Sequence, residues 1–259
     1  MSTAMQQTYM LDHEWEEEPR RLELLQELHD PTSIRRLKRT GVNGGWRCLE
    51  VGAGRGSIAR WLARQVGPEG SVLAIDLETD LLYGLNEPNV DVLSADVLEL
   101  DLPAGSLDLI HTRAVLTHIP QRARAIDQMV SWLAPGGWLV LEEIDWLGQV
   151  TADRSWSAGM RAYKQATVTI DWECGRELVS ELAARGLHDV DADAEIDTIR
   201  GATPLADWYG LSMHALRAAV LAARAATNAE IDRQLARLQD PTFRALGFTW
   251  IGAWGQRRA

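Results

Sequence analysis

Cysteine is scarce in this chain of 259 residues: Cys48 and Cys174 stand far apart and in no CxxC spacing. That excludes a disulfide framework and makes a thiolate zinc site a poor expectation, so no metal is expected. Bases are also in deficit, 26 Lys and Arg against 37 Asp and Glu, for a formal net charge of −11. Phosphate backbones repel such a surface, which argues against a nucleic-acid partner. No run approaches the roughly 20 apolar residues that cross a bilayer. The acidic stretch around Glu16, Glu17 and Glu18 does not read as a signal peptide. The expectation is a cytoplasmic protein with no membrane partner. Phenylalanine occurs twice, yet tryptophan occurs eleven times. Large flat side chains must fill a core, an interface or a ligand pocket, which leaves a homodimer open.

Apolar residues make up 46% and charged residues 24%, the balance of a globular protein with one sizeable core. The opening segment reads as helix, with Leu22, Leu24, Leu25 and Leu28 forming a stripe. Asp30-Pro31-Thr32-Ser33 reads as a restart before a second helix over Ile34–Arg39. From Trp46 onward, short apolar runs alternate with helical stretches. The runs are Trp46–Val51, Val72–Ile75, Val90–Ser94, Leu107–His111 and Trp138–Leu141; the helices are Ser57–Val66, Thr79–Leu85 and Gln121–Leu133. Continuous apolar runs joined by long crossovers are the mark of parallel strands buried on both faces. Later segments add helices, a strand of acidic alternation over His188–Ile199 and a last strand over Leu246–Trp254. The pattern predicts an α/β fold: a doubly wound, mostly parallel sheet with helices on both faces. It divides into a helical N-terminal segment (1–45), an α/β core (46–145), a helical insertion with late core elements (146–242) and a final strand (243–259).

The strongest motif is Leu49-Glu50-Val51-Gly52-Ala53-Gly54-Arg55-Gly56, which ends the first strand and opens a helix. Alternating glycines allow a sharp turn and close approach of a ligand, and the helix behind presents free N–H groups. A dinucleotide fingerprint would place its third glycine where Ser57 stands. Glu50 opposes a pyrophosphate but suits a ligand bearing ammonium and sulfonium charges. A nicotinamide-dependent oxidoreductase is therefore the weaker alternative. Asp76 ends the second strand, where an acid can accept both ribose hydroxyl protons of an adenosine; the same residue can serve as a helix N-cap. Asp96 ends the third strand and either accepts an adenine amino group, with Val97 and Leu77 sandwiching the ring, or caps its own loop.

These three sites, each at the carboxyl end of a successive strand, resemble the class I S-adenosylmethionine-dependent methyltransferases, in particular a bacterial small-molecule group. The resemblance continues through Ser106–His111, Leu116-Thr117-His118-Ile119-Pro120 and Leu133-Ala134-Pro135-Gly136-Gly137. It implies a Rossmann-like sheet of seven strands, with S-adenosylmethionine as cofactor. Glu50, Gly52, Gly54 and Gly56 would hold the methionine part, Asp76 the ribose, and Asp96, Leu77 and Val97 the adenine, with His111 beside them. It also implies an N-terminal lid in which Tyr9 and Arg21 reach the cofactor, with Arg21 or Arg20 in a charge-assisted pair with the methionine carboxylate; the alternative is that these arginines are solvated helix charge.

On the acceptor side, His118 and Glu143 are the candidate bases. Trp146, Trp172, Trp208 and Tyr209 are candidates for an acceptor pocket, or equally for core. The expected partner is an aromatic or hydrophobic small molecule that is methylated on oxygen, nitrogen or carbon. The alternative is a protein of the same fold that binds the cofactor and catalyses a cyclisation.

Overall fold

A computed structural model describes residues 15–82, 84–149 and 153–259. Seven strands form one sheet: β1 (Arg47–Val51), β2 (Ser71–Asp76), β3 (Val90–Ser94), β4 (Leu107–Arg113), β5 (Leu133–Asp145), β6 (His188–Arg200) and β7 (Arg244–Gln256). Their order across the sheet is β3-β2-β1-β4-β5-β7-β6. All pairings are parallel except those of β7, which runs antiparallel between β5 and β6. The order reverses at β1, so β2 and β4 diverge from its carboxyl end. Open α/β sheets place their ligand crevice at such a point.

Among the described residues, eight α-helices surround the sheet: α1 (Glu18–Arg39), α2 (Ser57–Val66), α3 (Arg122–Trp132), α4 (Arg154–Ala166), α5 (Leu178–Ala184), α6 (Pro204–Ala215), α7 (Arg217–Ala222) and α8 (Asn228–Gln239). Helix α2 covers β1 and β2 through Ile58, Ala59, Leu62 and Val66, an apolar stripe at helical spacing. The opposite face packs Ile126, Met129 and Leu182 against Ile110, Leu139 and Leu141. A third core is rich in aromatic rings and joins α1, α4, α6 and α8 to β7. Among the described residues, no helix is long and apolar enough to cross a membrane.

The structure corrects two expectations. Helix α1 does not restart at Pro31; it runs unbroken through it. Proline forfeits one backbone hydrogen bond inside a helix, but the turns after it are fixed by side chains that bind the sheet. Arg36 bonds Glu142 and Asp193, and Ser33 bonds Glu142. The helix expected over 79–85 is a single 3-10 turn, Asp80–Leu82, because that crossover to the edge strand β3 has little sheet surface to cover.

Candidate functional site

Strands β1 and β2 carry the glycine loop and its acid to one edge. Gly52 and Ala53 N–H groups both donate to Ile75 C=O, at 2.9 and 3.0 Å, which folds the loop back over β2. Gly52 has φ +69° and lies so close to Val115 that a Cβ would sit 2.2 Å from its Cγ2. Gly54 (φ +55°) faces open space instead, and its N–H donates to Asp76 Oδ2 at 2.8 Å. The Asp76 carboxylate also accepts the Glu78 N–H, at 3.3 Å.

A single continuous cavity opens here. Glu50, Gly52, Gly54, Asp76, Leu77 and Val97 line one end, and Ile170, Trp172, Trp208, Phe248 and Trp250 line the other. His118, Thr117 and Arg113 stand along it, while Arg21, Leu22 and Leu25 of α1 contribute a further wall. The cavity thus brings together ten of the residues singled out from sequence: Arg21, Glu50, Gly52, Gly54, Asp76, Leu77, Val97, His118, Trp172 and Trp208.

The others lie elsewhere. Gly56 caps α2 in a left-handed conformation against Leu82 and Leu85. Asp96 Oδ1 accepts the Leu98 N–H at 2.8 Å, the loop-capping geometry. Trp146 packs edge-on against Trp172. Tyr209 is fully buried; it stacks on Phe248 at 5.3 Å, and its hydroxyl accepts the Phe248 N–H at 2.6 Å. Tyr9 falls outside the described residues.

His111 and Glu143 do not line the cavity either; both are buried behind it. His111 is the register partner of Glu50 across β1 and β4. Its ring bridges Glu50 Oε2 at 2.7 Å and Glu142 Oε1 at 3.1 Å. Burial alone would lower the imidazole pKa, but the two carboxylates hold it up at about 9, so it is the cationic form that they stabilise. Glu142 is pulled down to about 2: burial opposes the shift, but His111, Arg36 and Arg113 outweigh it. Glu50 has its pKa raised by burial, against the pull of His111. Arg36 continues the network to Asp193 at 2.6 Å. Arg113 ties Ser33 and Asp30 to the cavity edge at 2.8 and 2.9 Å. The network fastens the C-terminal half of α1 to the back of the site.

Glu143 accepts three backbone N–H groups, those of Val115 (2.9 Å), Leu116 (2.7 Å) and Thr117 (3.4 Å). Burial raises its pKa to about 7 against the pull of these bonds. Its evident job is to hold the short turn Leu116–His118 that presents Thr117 and His118 to the cavity.

Sequence reading missed Arg113, Ser212, Phe248 and Trp250 as lining residues. Phe248 and Trp250 had a usable signal, since two residues apart on a strand they share a face. Arg113 and Ser212 carried none.

Residues 49–141 match a family model described as a methyltransferase domain. A methyltransferase of Strobilurus tenacellus, str2, is 40% identical over 101 residues, which cover 39% of this chain and 36% of the relative. The chain thus spans only about a third of that curated relative's length. Among solved structures, a phosphoethanolamine N-methyltransferase 2 of Haemonchus contortus, in complex with phosphomonomethylethanolamine and S-adenosylhomocysteine, superposes with a TM-score of 0.59. It is 17% identical, over 88% of this chain and 53% of that one. The [4+2]-cyclase SpnF superposes with a TM-score of 0.56 and 18% identity, over 90% of this chain and 82% of that one.

Proposed function

From a chain whose residues 49–141 match a methyltransferase-domain model, we infer binding of S-adenosylmethionine and transfer of its methyl group to a small organic acceptor. The observation that carries the reading is the continuity of one cavity from Glu50, Gly54 and Asp76 to the wall of Trp172, Trp208, Phe248 and Trp250. The cofactor end fits its ligand. Gly54 leaves space where a side chain would stand, and Glu50 offers a buried carboxylate for the methionine ammonium. Asp76, already fixed by two backbone N–H groups, would accept the ribose hydroxyls. Leu77 and Val97 provide apolar faces for the adenine.

When bound, the cofactor would supply an activated methyl carbon to an acceptor lone pair and leave as a neutral thioether. Such a displacement needs alignment more than acid or base, so positioning by the aromatic wall contributes much of the rate. His118 lines the cavity and takes the proton of a hydroxyl acceptor. Glu143 acts through the turn that places His118 rather than on the substrate. We propose a neutral, largely aromatic or hydrophobic acceptor, because the far wall consists of Ile170, Trp172, Trp208, Leu216, Phe248 and Trp250. Arg21 is paired within α1 to Glu18, at 2.7 and 2.5 Å, so its charge is already answered. The tryptophans give little support to a homodimer, since all eleven are buried or half-buried within the single chain.

Titration of the purified protein with S-adenosylmethionine, wild type beside Asp76→Ala, tests the cofactor site. Transfer from methyl-labelled cofactor to a panel of aromatic acceptors then tests the reaction. Absence of binding by the folded wild type overturns the reading. Turnover of an acceptor with the cofactor left intact points to a cyclisation of the SpnF kind.

A further inference from the structure

Several buried polar atoms have no hydrogen-bond partner among the described residues, Trp156 Nε1 and Tyr163 Oη included, and two of them belong to side chains that line the acceptor wall. Trp208 and Ser212 lie one turn apart on α6, and both line the cavity. Trp208 is only 6% exposed, and its indole Nε1 has no hydrogen-bond partner among the described residues. Ser212 Oγ is likewise buried and without a partner. Serine inside a helix ordinarily returns its hydroxyl to the carbonyl four residues back, and Ser212 does not. Indole N–H groups and hydroxyls that are buried normally find partners, because an unmet one forfeits its hydration with nothing in return. The neighbouring aromatics contrast with them: Trp250 Nε1 donates to Asp197 at 3.0 Å and Trp172 Nε1 to Thr167 at 2.8 Å.

The two groups are chemically complementary. Indole N–H only donates, while a serine hydroxyl both donates and accepts. Spaced at i and i+4, they share one face of the helix. An oxygen atom satisfies both at once, a carbonyl by accepting twice and a hydroxyl by accepting from Trp208 while donating to Ser212. A cationic nitrogen cannot accept from either, and a carboxylate or phosphate would enter an apolar wall and find the lining arginines already paired, Arg21 with Glu18 and Arg113 with Asp30.

We propose that Trp208 Nε1 and Ser212 Oγ form a two-point contact for an uncharged hydroxyl or carbonyl oxygen, and that the acceptor is an aromatic molecule bearing one. This rests on the methyl-transfer reading of the cavity and deepens it. Trp208 and Ser212 set specificity and orientation; they are positioning groups that fix which edge of the ring system faces the methyl carbon.

The test compares naphthalene with 2-naphthol by calorimetric titration of full-length protein saturated with S-adenosylhomocysteine. Wild type is expected to bind 2-naphthol about tenfold more tightly, the yield of two ordinary hydrogen bonds. Ser212→Ala and Trp208→Phe each reduce that ratio to about threefold, and the double variant brings it to about one while naphthalene affinity holds within about twofold. Equal binding of the two probes by wild type overturns the proposal, as it would if water served both atoms. A ratio that persists in the double variant overturns it too, by assigning the oxygen to another residue. Binding of neither probe removes the aromatic acceptor itself. Failure to bind S-adenosylhomocysteine is a separate result and counts against the cofactor reading, whatever the ratio.

Discussion

Glu143 Oε1 accepts the backbone N–H of Leu116 at 2.7 Å, and the same oxygen accepts that of Val115 at 2.9 Å. A carboxylate that looked like a base from its place near the end of β5 is thus the anchor of the turn bearing His118. Glu143→Ala strands buried N–H groups and is expected to cost about 3 kcal/mol, against about 1 kcal/mol for Glu143→Gln, which keeps an acceptor oxygen. Urea midpoints measure both. A catalytic base would behave otherwise, with Gln abolishing turnover at unchanged stability.

The pH dependence of the same residue has a fixed sign. Its folded pKa of about 7 lies above the ordinary 4.5. The folded state therefore favours the protonated carboxyl. Its contribution is fully present below about 4.5 and fades as pH rises through about 7. Glu143→Gln is expected to flatten the stability profile across that window, read by thermal melts at successive pH values.

His111 acts in another window. With a folded pKa of about 9 against an ordinary 6.5, its contribution is complete below about 6.5 and lost as pH climbs through about 9. Glu142, held at about 2, contributes above about 4.5 and loses that contribution as pH falls through about 2. The variant His111→Gln should lose the alkaline decline and weaken the acid one, because His111 is the largest of the groups that hold Glu142 low and only Arg36 and Arg113 would remain. An unchanged alkaline limb would show that His111 is neutral between its two carboxylates.

Glu50 links charge to ligand. Burial raises its pKa, and a ligand cation beside it lowers it again, so cofactor binding should release protons. Titrations in buffers of different ionisation enthalpy measure the release. Glu50→Gln is expected to abolish it and to weaken S-adenosylmethionine by about tenfold, the loss of one charge-assisted bond.

Gly52 carries both a conformational and a steric demand. Gly52→Ala places a Cβ 2.2 Å from Val115 Cγ2 in a backbone region costing about 1–2 kcal/mol for an L-residue. The single variant should lose more stability than that. Adding Val115→Ala relieves the clash and leaves the backbone cost, so the double variant should be the more stable of the two in urea.

Sequence carried the sheet and the front of the site well, for a physical reason. Parallel strands buried on both faces leave continuous apolar runs, and the ligand loops follow them at their carboxyl ends. Gly54 and Asp76 were legible because the turn needs a glycine at positive φ and an acceptor for its N–H groups, and Glu50 because it is a carboxylate beside that turn. The back of the site was not: Glu50, His111 and Glu142 meet across three strands, and nothing local marks a histidine as the bridge between two carboxylates. Pro31 misled in the same way, since its helix is held by Arg36 and Ser33 reaching a strand more than a hundred residues away. The aromatic wall fell between the two cases, its tryptophans conspicuous but their division between core and cavity set by the packing of α6 on β7.

The position of β7 also sets a timetable for the molecule. Among the described residues β6 has β7 as its sole sheet neighbour, and Phe248 and Trp250 of β7 close the cavity. As the chain emerges from the ribosome, residues 47–145 can pair in parallel, but β6 waits as a bare ribbon until residues 244–256 arrive. The end of the cavity at Glu50, Gly54 and Asp76 can therefore form during translation, whereas the aromatic end closed by Phe248 and Trp250 is assembled only once those residues have been made.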